Sequence, residues 1–115
     1  MLFIYGLKNC DSCKKALAWC TAEGIEFSFH DFKKQGLPED LLDRWLDHIN
    51  LEILTNRRGT TWRGLSDEQK ALAETPATAR DLLLENTSLM KRPIIEHGES
   101  FYVGFNADTQ KALKG

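Results

Sequence analysis

The stretch "LFIYGLKNCDSCKKALAWC", residues 2–20, changes its hydrophobic period partway along. Leu2 to Tyr5 form a short apolar run, partly aromatic and β-branched, that stops at Gly6; this is the pattern of a buried strand. Beyond Asp11 and Ser12, either of which can cap a helix, Cys13, Ala16, Leu17 and Cys20 recur at i, i+3, i+4 and i+7. A strand therefore hands over to a helix, and two cysteines three positions apart lie at the junction.

Outward from that junction, Gly24 ends the helix. Ile25, Phe27 and Phe29 then alternate with Glu26, Ser28 and His30 as in a half-buried strand, before a polar loop, "DFKKQG". Pro38, Glu39 and Asp40 suit a first helical turn, and Leu41, Leu42, Trp45, Leu46 and Ile49 make one apolar face. "TNRRGTTWRG", residues 55–64, reads as loop. Ser66 and Gln69 have capping-box spacing for a helix to about Glu74, and Thr78 can cap another that carries Leu82, Leu83 and Leu84.

After "KRP" the period shortens again. Ile94 and Ile95, the turn "EHGES" and Phe101 to Val103 predict a hairpin. Asn106 caps a last helix with Asp108 early and Lys111 and Lys114 late, which matches the helix dipole. The order β-α-β, helices, β-β-α predicts an α/β fold of thioredoxin-like arrangement, with a mixed four-stranded sheet and an all-helical insert at about residues 37–88. The 115 residues, 42% hydrophobic and 28% charged, fit one domain over 1–115 with room for a core.

Composition narrows the function classes. No run reaches the roughly 18 to 20 apolar residues of a membrane span, and "MLFIYG" lacks the basic lead-in and length of a secretory signal, so a cytoplasmic location is expected. Three cysteines crowded into residues 10–20 do not make an extracellular disulfide scaffold. A net charge of −2 and a pI near 5.9 carry no overall basic signature for nucleic acid or acidic lipid. Any anion site must be local.

The Cys10–Cys13 spacing has three readings. A strand-to-helix junction exposes unpaired N–H groups and the positive end of the helix dipole, which stabilise a thiolate; Lys8, Lys14 and Lys15 outnumber Asp11 and act the same way. On that reading Cys10, outside the first turn, is the nucleophile, and Cys13, enclosed by packing, is the resolving thiol. Alternatively both are small core residues. A zinc site would need about four ligands, and beyond Cys20, on the core stripe, only the scattered His30, His48 and His97 remain; no metal is expected. Cys20 reads as a buried packing residue. Trp19, Trp45 and Trp62 read as packing.

Arg57, Arg58 and Arg63 share their loop with two threonines and no acid, between acidic flanks. Guanidinium groups grip carboxylates or oxyanions bidentately, so the loop could hold an anionic substrate. Arg58 and Arg63 could equally be solvated surface residues.

Together "IYGLKNCDSCKKA", "TNRRGTTW", "KRPII" and "VGFNAD" resemble the arsenate reductase/Spx family, most closely its YffB-like branch, over nearly the whole chain. The resemblance implies that Cys10 is the nucleophile and Cys13 the second thiol of Spx-like members. It further implies that Arg92-Pro93 is the pair whose proline is cis and faces the thiol. Arg57 matches, within one residue, an anion-contacting arginine, and Asn9 and Lys14 surround the nucleophile.

Arsenate reductases carry a further arginine in the last hairpin strand, where this chain has Gly104. Loss of that charge-assisted contact is worth roughly 1.5–3 kcal/mol, or about one to two decades of affinity, and weighs against arsenate reduction. The leading expectation is a glutathione-dependent thiol-disulfide reductase with no tightly bound cofactor. Glutathione is the co-substrate, a disulfide or small anionic molecule the substrate, and Arg57 and Arg92 orient anionic groups. No membrane or direct nucleic-acid partner is expected. The alternatives are an Spx-like redox regulator that binds RNA polymerase and an arsenate reductase.

Overall fold

The structure, a computed structural model, describes residues 2–114. Four strands, β1 (Leu2–Gly6), β2 (Phe27–Asp31), β3 (Ile94–His97) and β4 (Ser100–Val103), form one sheet in the order β2-β1-β3-β4. β1 runs parallel to β2 and antiparallel to β3, and β3 is antiparallel to β4. The sheet is thus mixed, with β1 inside it. Helix α1 (Asp11–Ala22) supplies the crossover between the parallel pair, and α8 (Ala107–Lys114) follows the hairpin. This is a thioredoxin-like α/β fold with a helical insert between its halves.

The chain divides into two compact units. The first contains the sheet, up to Gly36 and from Arg92 onward. One buried cluster lies on one sheet face: Leu2, Ile4 and Ile95 are buried with Cys20 of α1 and Leu113 of α8. Leu17, Trp19, Phe27, Phe29 and Tyr102 pack around them. Period-two alternation turns these strand residues to the same side, and the helical stripe of α1 meets them there. On the opposite face the Tyr5 hydroxyl donates to a Glu96 carboxylate oxygen at 3.2 Å, which gives the buried acid a partner.

The second unit, Leu37–Lys91, is helical. It comprises α3 (Glu39–His48), α4 (Leu51–Leu54), α5 (Thr60–Arg63), α6 (Asp67–Leu72), α7 (Pro76–Glu85) and a closing 3-10 turn at Thr87–Leu89. Leu41, Leu42 and Trp45 of α3 and Ala79, Leu82 and Leu83 of α7 are buried, and the two helices pack together. Arg80 of α7 bonds Asp43 at 2.6 Å and Glu39 at 3.3 Å across that contact.

Several boundaries differ from the sequence expectation. Neither Asp11 nor Ser12 caps α1; the cap position is Cys10, with extended backbone. "DFKKQG" is not all loop, because Asp31 accepts from the Lys33 N–H at 3.0 Å and starts a turn, α2 (Phe32–Gln35), that buries Phe32. Residues 55–64 likewise contain α5. Helix α7 is capped by Thr75, not Thr78: Pro76 occupies its first position, and the Thr78 hydroxyl instead donates to the Leu72 carbonyl at 2.7 Å. The Ser66–Gln69 capping box and the Asn106 cap are both present. No helix among the described residues is long and apolar enough to cross a membrane.

Candidate functional site

Cys10 and Cys13 are three residues apart but sit in different surroundings. β1 ends at Gly6, a turn at Lys8 and Asn9 follows, and the Cys10 N–H donates to the Leu7 carbonyl at 3.2 Å. The Cys10 carbonyl then accepts from the Lys14 N–H at 2.9 Å, which opens α1. Cys10 is therefore the half-in residue at the helix start and is partly exposed, whereas Cys13, one turn in, is fully buried. All three cysteines are free thiols.

Gly6 explains how Cys13 reaches its position. A Cβ at residue 6 would collide with the Cys13 sulfur and lie 3.9 Å from the Cβ of Arg92. The missing side chain lets the helix sulfur and the segment before β3 close over the end of β1. Arg92-Pro93 has a cis peptide bond, Pro93 is buried, and its carbonyl accepts from the Gly104 N–H at 2.8 Å.

These surroundings shift the two thiols in opposite directions. Burial would raise the Cys10 pKa, but the Cys13 N–H, the Arg92 side chain and the Cys13 thiol together outweigh it and hold Cys10 below its ordinary value. Cys10 makes no full side-chain capping bond, so the Cys13 N–H acts as a nearby dipole. Cys13 is pushed up to about 12, first by burial and then by the charge of Cys10, against a lowering contact from the Leu7 backbone. Proximity of two thiols is enough to separate them once one is ionised.

The structure brings Cys10, Cys13 and Arg92 together, with Pro93 beside them in the chain. The cation acting on Cys10 is Arg92; Lys8, Lys14 and Lys15 are absent from the groups that shift it. Lys14 and Asn9 flank the thiol turn and are exposed. Arg57 lies in the helical unit, its guanidinium 5.2 Å from the centre of the Trp62 ring. Cys20 is buried in the sheet-unit core, and burial raises its pKa.

Gly104, just after β4, adopts φ +84°, a conformation that any side chain would strain, so this position is shaped for glycine. Sequence reasoning missed Gly6, although a glycine closing the strand before the cysteines was its visible signal. Among the described residues no group of three or more His, Cys, Asp or Glu side chains is placed to hold a metal ion.

Comparison with known proteins agrees with this geometry. The description "ArsC family" matches residues 5–113. A solved structure of a YFFB protein superposes with a TM-score of 0.90 at 38% identity, covering 97% of both chains. An arsenate reductase (ArsC) related protein from Brucella melitensis is 42% identical, covering 96% of this chain and 92% of that one, with a TM-score of 0.77. The global transcriptional regulator Spx of Streptococcus pyogenes is 28% identical over 98% of this chain and 84% of its own length. With its fold, its closely spaced cysteine pair and a match over nearly its whole length, this chain belongs to the ArsC family.

Proposed function

We propose that the protein is a thiol-disulfide oxidoreductase in which the Cys10 thiolate is the nucleophile and glutathione the co-substrate. The observation that carries this reading is the opposite treatment of two neighbouring sulfurs: one partly exposed beside Arg92 and held below its ordinary pKa, the other buried and pushed up to about 12. A lowered pKa raises the thiolate fraction at neutral pH, and partial exposure admits the attacked disulfide.

The reaction closes in two exchanges. Cys10 thiolate attacks the glutathione sulfur of a mixed disulfide, forms a Cys10–glutathione disulfide and expels the substrate thiolate, which takes a proton from solvent. A second glutathione, as thiolate, then attacks the glutathione sulfur of that adduct, releases oxidised glutathione and restores the Cys10 thiolate. Cys13 is an alternative resolving thiol, but its burial opposes ionisation, so the small thiol is favoured. Arg92 orients the incoming anionic group and stabilises the departing Cys10 thiolate. Pro93, Asn9 and Lys14 border the approach to the sulfur, and the acid-poor loop of Arg57 supports a role for that residue in holding a carboxylate.

The test joins alkylation with capture. Cys10 alkylation should titrate below free cysteine, mass spectrometry should find glutathione on Cys10, and Cys10→Ser should lower turnover by on the order of a thousandfold or more. Full turnover by Cys10→Ser would refute the assignment. The Spx relationship motivates a rival, a redox switch without turnover, and stoichiometric binding to RNA polymerase by an inactive protein would install it instead.

A further inference from the structure

The helical unit contains a cationic cleft around Arg57, the residue to which the proposed function gives a carboxylate. Its volume is about 390 Å³, and Glu52, Thr55, Arg57, Arg58 and Lys91 line it. We propose that this cleft is an oxyanion-binding site, in which the Thr55 hydroxyl and the three cations receive a carboxylate or phosphate group. The sequence pointed to Arg57 alone with any force; Thr55 and Lys91 enter from the structure.

Thr55 carries the argument. It is 2% exposed, and its Oγ1 has no hydrogen-bond partner among the described residues. Its backbone, by contrast, is fixed: the Thr55 N–H donates to the Leu51 carbonyl at 3.0 Å, and Thr55 bridges to Met90. On either side the Asn56 N–H donates to Leu89 at 2.6 Å and the Lys91 N–H to Leu54 at 2.8 Å. An unpaired buried hydroxyl is a cost that valine, of the same shape, would avoid. A ligand oxygen that accepts from this hydroxyl removes the cost.

Charge and rigidity agree. Three cations face one carboxylate in the lining, and Arg57, Arg58 and Lys91 make no ion pair among the described residues. The loop is braced before any ligand arrives. Asn56 accepts from the Arg58 N–H at 3.1 Å, Arg63 donates to the Arg58 carbonyl at 2.8 Å, and Arg57 and Lys70 both lie over Trp62, at 5.2 and 5.9 Å. A Cβ at Gly59 would lie 2.9 Å from the Asn56 amide nitrogen, so the glycine makes room for that brace. A preorganised loop loses little freedom on binding, and guanidinium groups hold oxyanions through paired N–H donors. The site extends the carboxylate-holding role proposed above for Arg57, and its binding readout does not depend on Cys10 reactivity.

The experiment titrates the isotope-labelled full chain at constant ionic strength with inorganic phosphate and, separately, with S-methylglutathione, which keeps both carboxylates and lacks a free thiol. At least one should produce saturable amide shifts at residues 55–59 and 91; which one does identifies phosphate or carboxylate as the ligand group. Thr55→Val and Lys91→Gln should each weaken that binding by about tenfold. Ligand-free Thr55→Val should melt no lower than the unmodified protein, because it sheds an unpaired hydroxyl. The proposal is overturned if neither anion saturates, if both variants bind as before, or if Thr55→Val melts lower with unchanged binding, which would make the hydroxyl structural. Lys91 is exposed, so its variant tests the site even if the Thr55 variant folds poorly.

Discussion

Two arginines, one in each unit, use the same charge in different ways. Arg80, in the helical unit, bonds the carboxylates of Asp43 and Glu39 and holds the Asp43 carboxyl below its ordinary range. Those partners are anions whether or not the fold forms, so the contact serves cohesion between α3 and α7. Arg92, in the sheet unit, bears on Cys10, whose charge exists only once the thiol gives up its proton. A cation beside a permanent anion holds structure together, whereas a cation beside a conditional one sets how readily that group reacts.

The contrast can be broken at three points. The largest effect belongs to Gly6→Ala, which drives a methyl group against the Cys13 sulfur; overpacking of this kind costs about 1–3 kcal/mol. The melting temperature should fall by about 5 °C or more in calorimetry, and an unchanged melt would mean that Cys13 moves aside freely. Next is Arg92→Met. Its Cys10 alkylation profile should move up toward that of free cysteine, with disulfide-exchange kcat/KM falling by roughly tenfold, the worth of one charge-assisted contact. Arg80→Met should leave that profile in place, and equal effects from the two substitutions would erase the distinction.

The smallest effect is a slope. Cys13 titrates near 12 when folded and near 9.0 ordinarily, so the unfolded chain releases this proton first as pH rises. Its stabilising contribution is complete below about pH 9 and is lost progressively toward pH 12. Denaturation midpoints measured between pH 9 and 10 should therefore decline less in Cys13→Ala. Identical slopes would remove the buried, neutral state assigned to that thiol.

Most of the fold was legible because its signals are local. The strand-to-helix change at residues 2–20, the Ser66–Gln69 box and the Asn106 cap each depend on residues within about two turns. The cysteine pair at the strand-to-helix junction was legible for the same reason. The cation beside it was misjudged as the lysines, because Arg92 lies 82 positions away in the chain and approaches only when β3 pairs with β1. Gly6 looked like a strand ending until the sulfur over it supplied its reason, and Thr55 is unremarkable until its hydroxyl is found without a bond. Phe32 was missed as an anchor because a single apolar residue in a polar run carries no period.

The strand order also has a consequence for synthesis. β1 pairs with β2 on one side and β3 on the other, yet some sixty residues separate Asp31 from Ile94. At about 5–20 residues per second, a ribosome needs on the order of 3–12 s to make them. Throughout that interval the emerging polypeptide carries β1 with one row of peptide groups unmatched, an invitation to pair with a neighbouring chain. A cell making this protein must shelter that strand for seconds, and slowed translation of the insert lengthens the exposure.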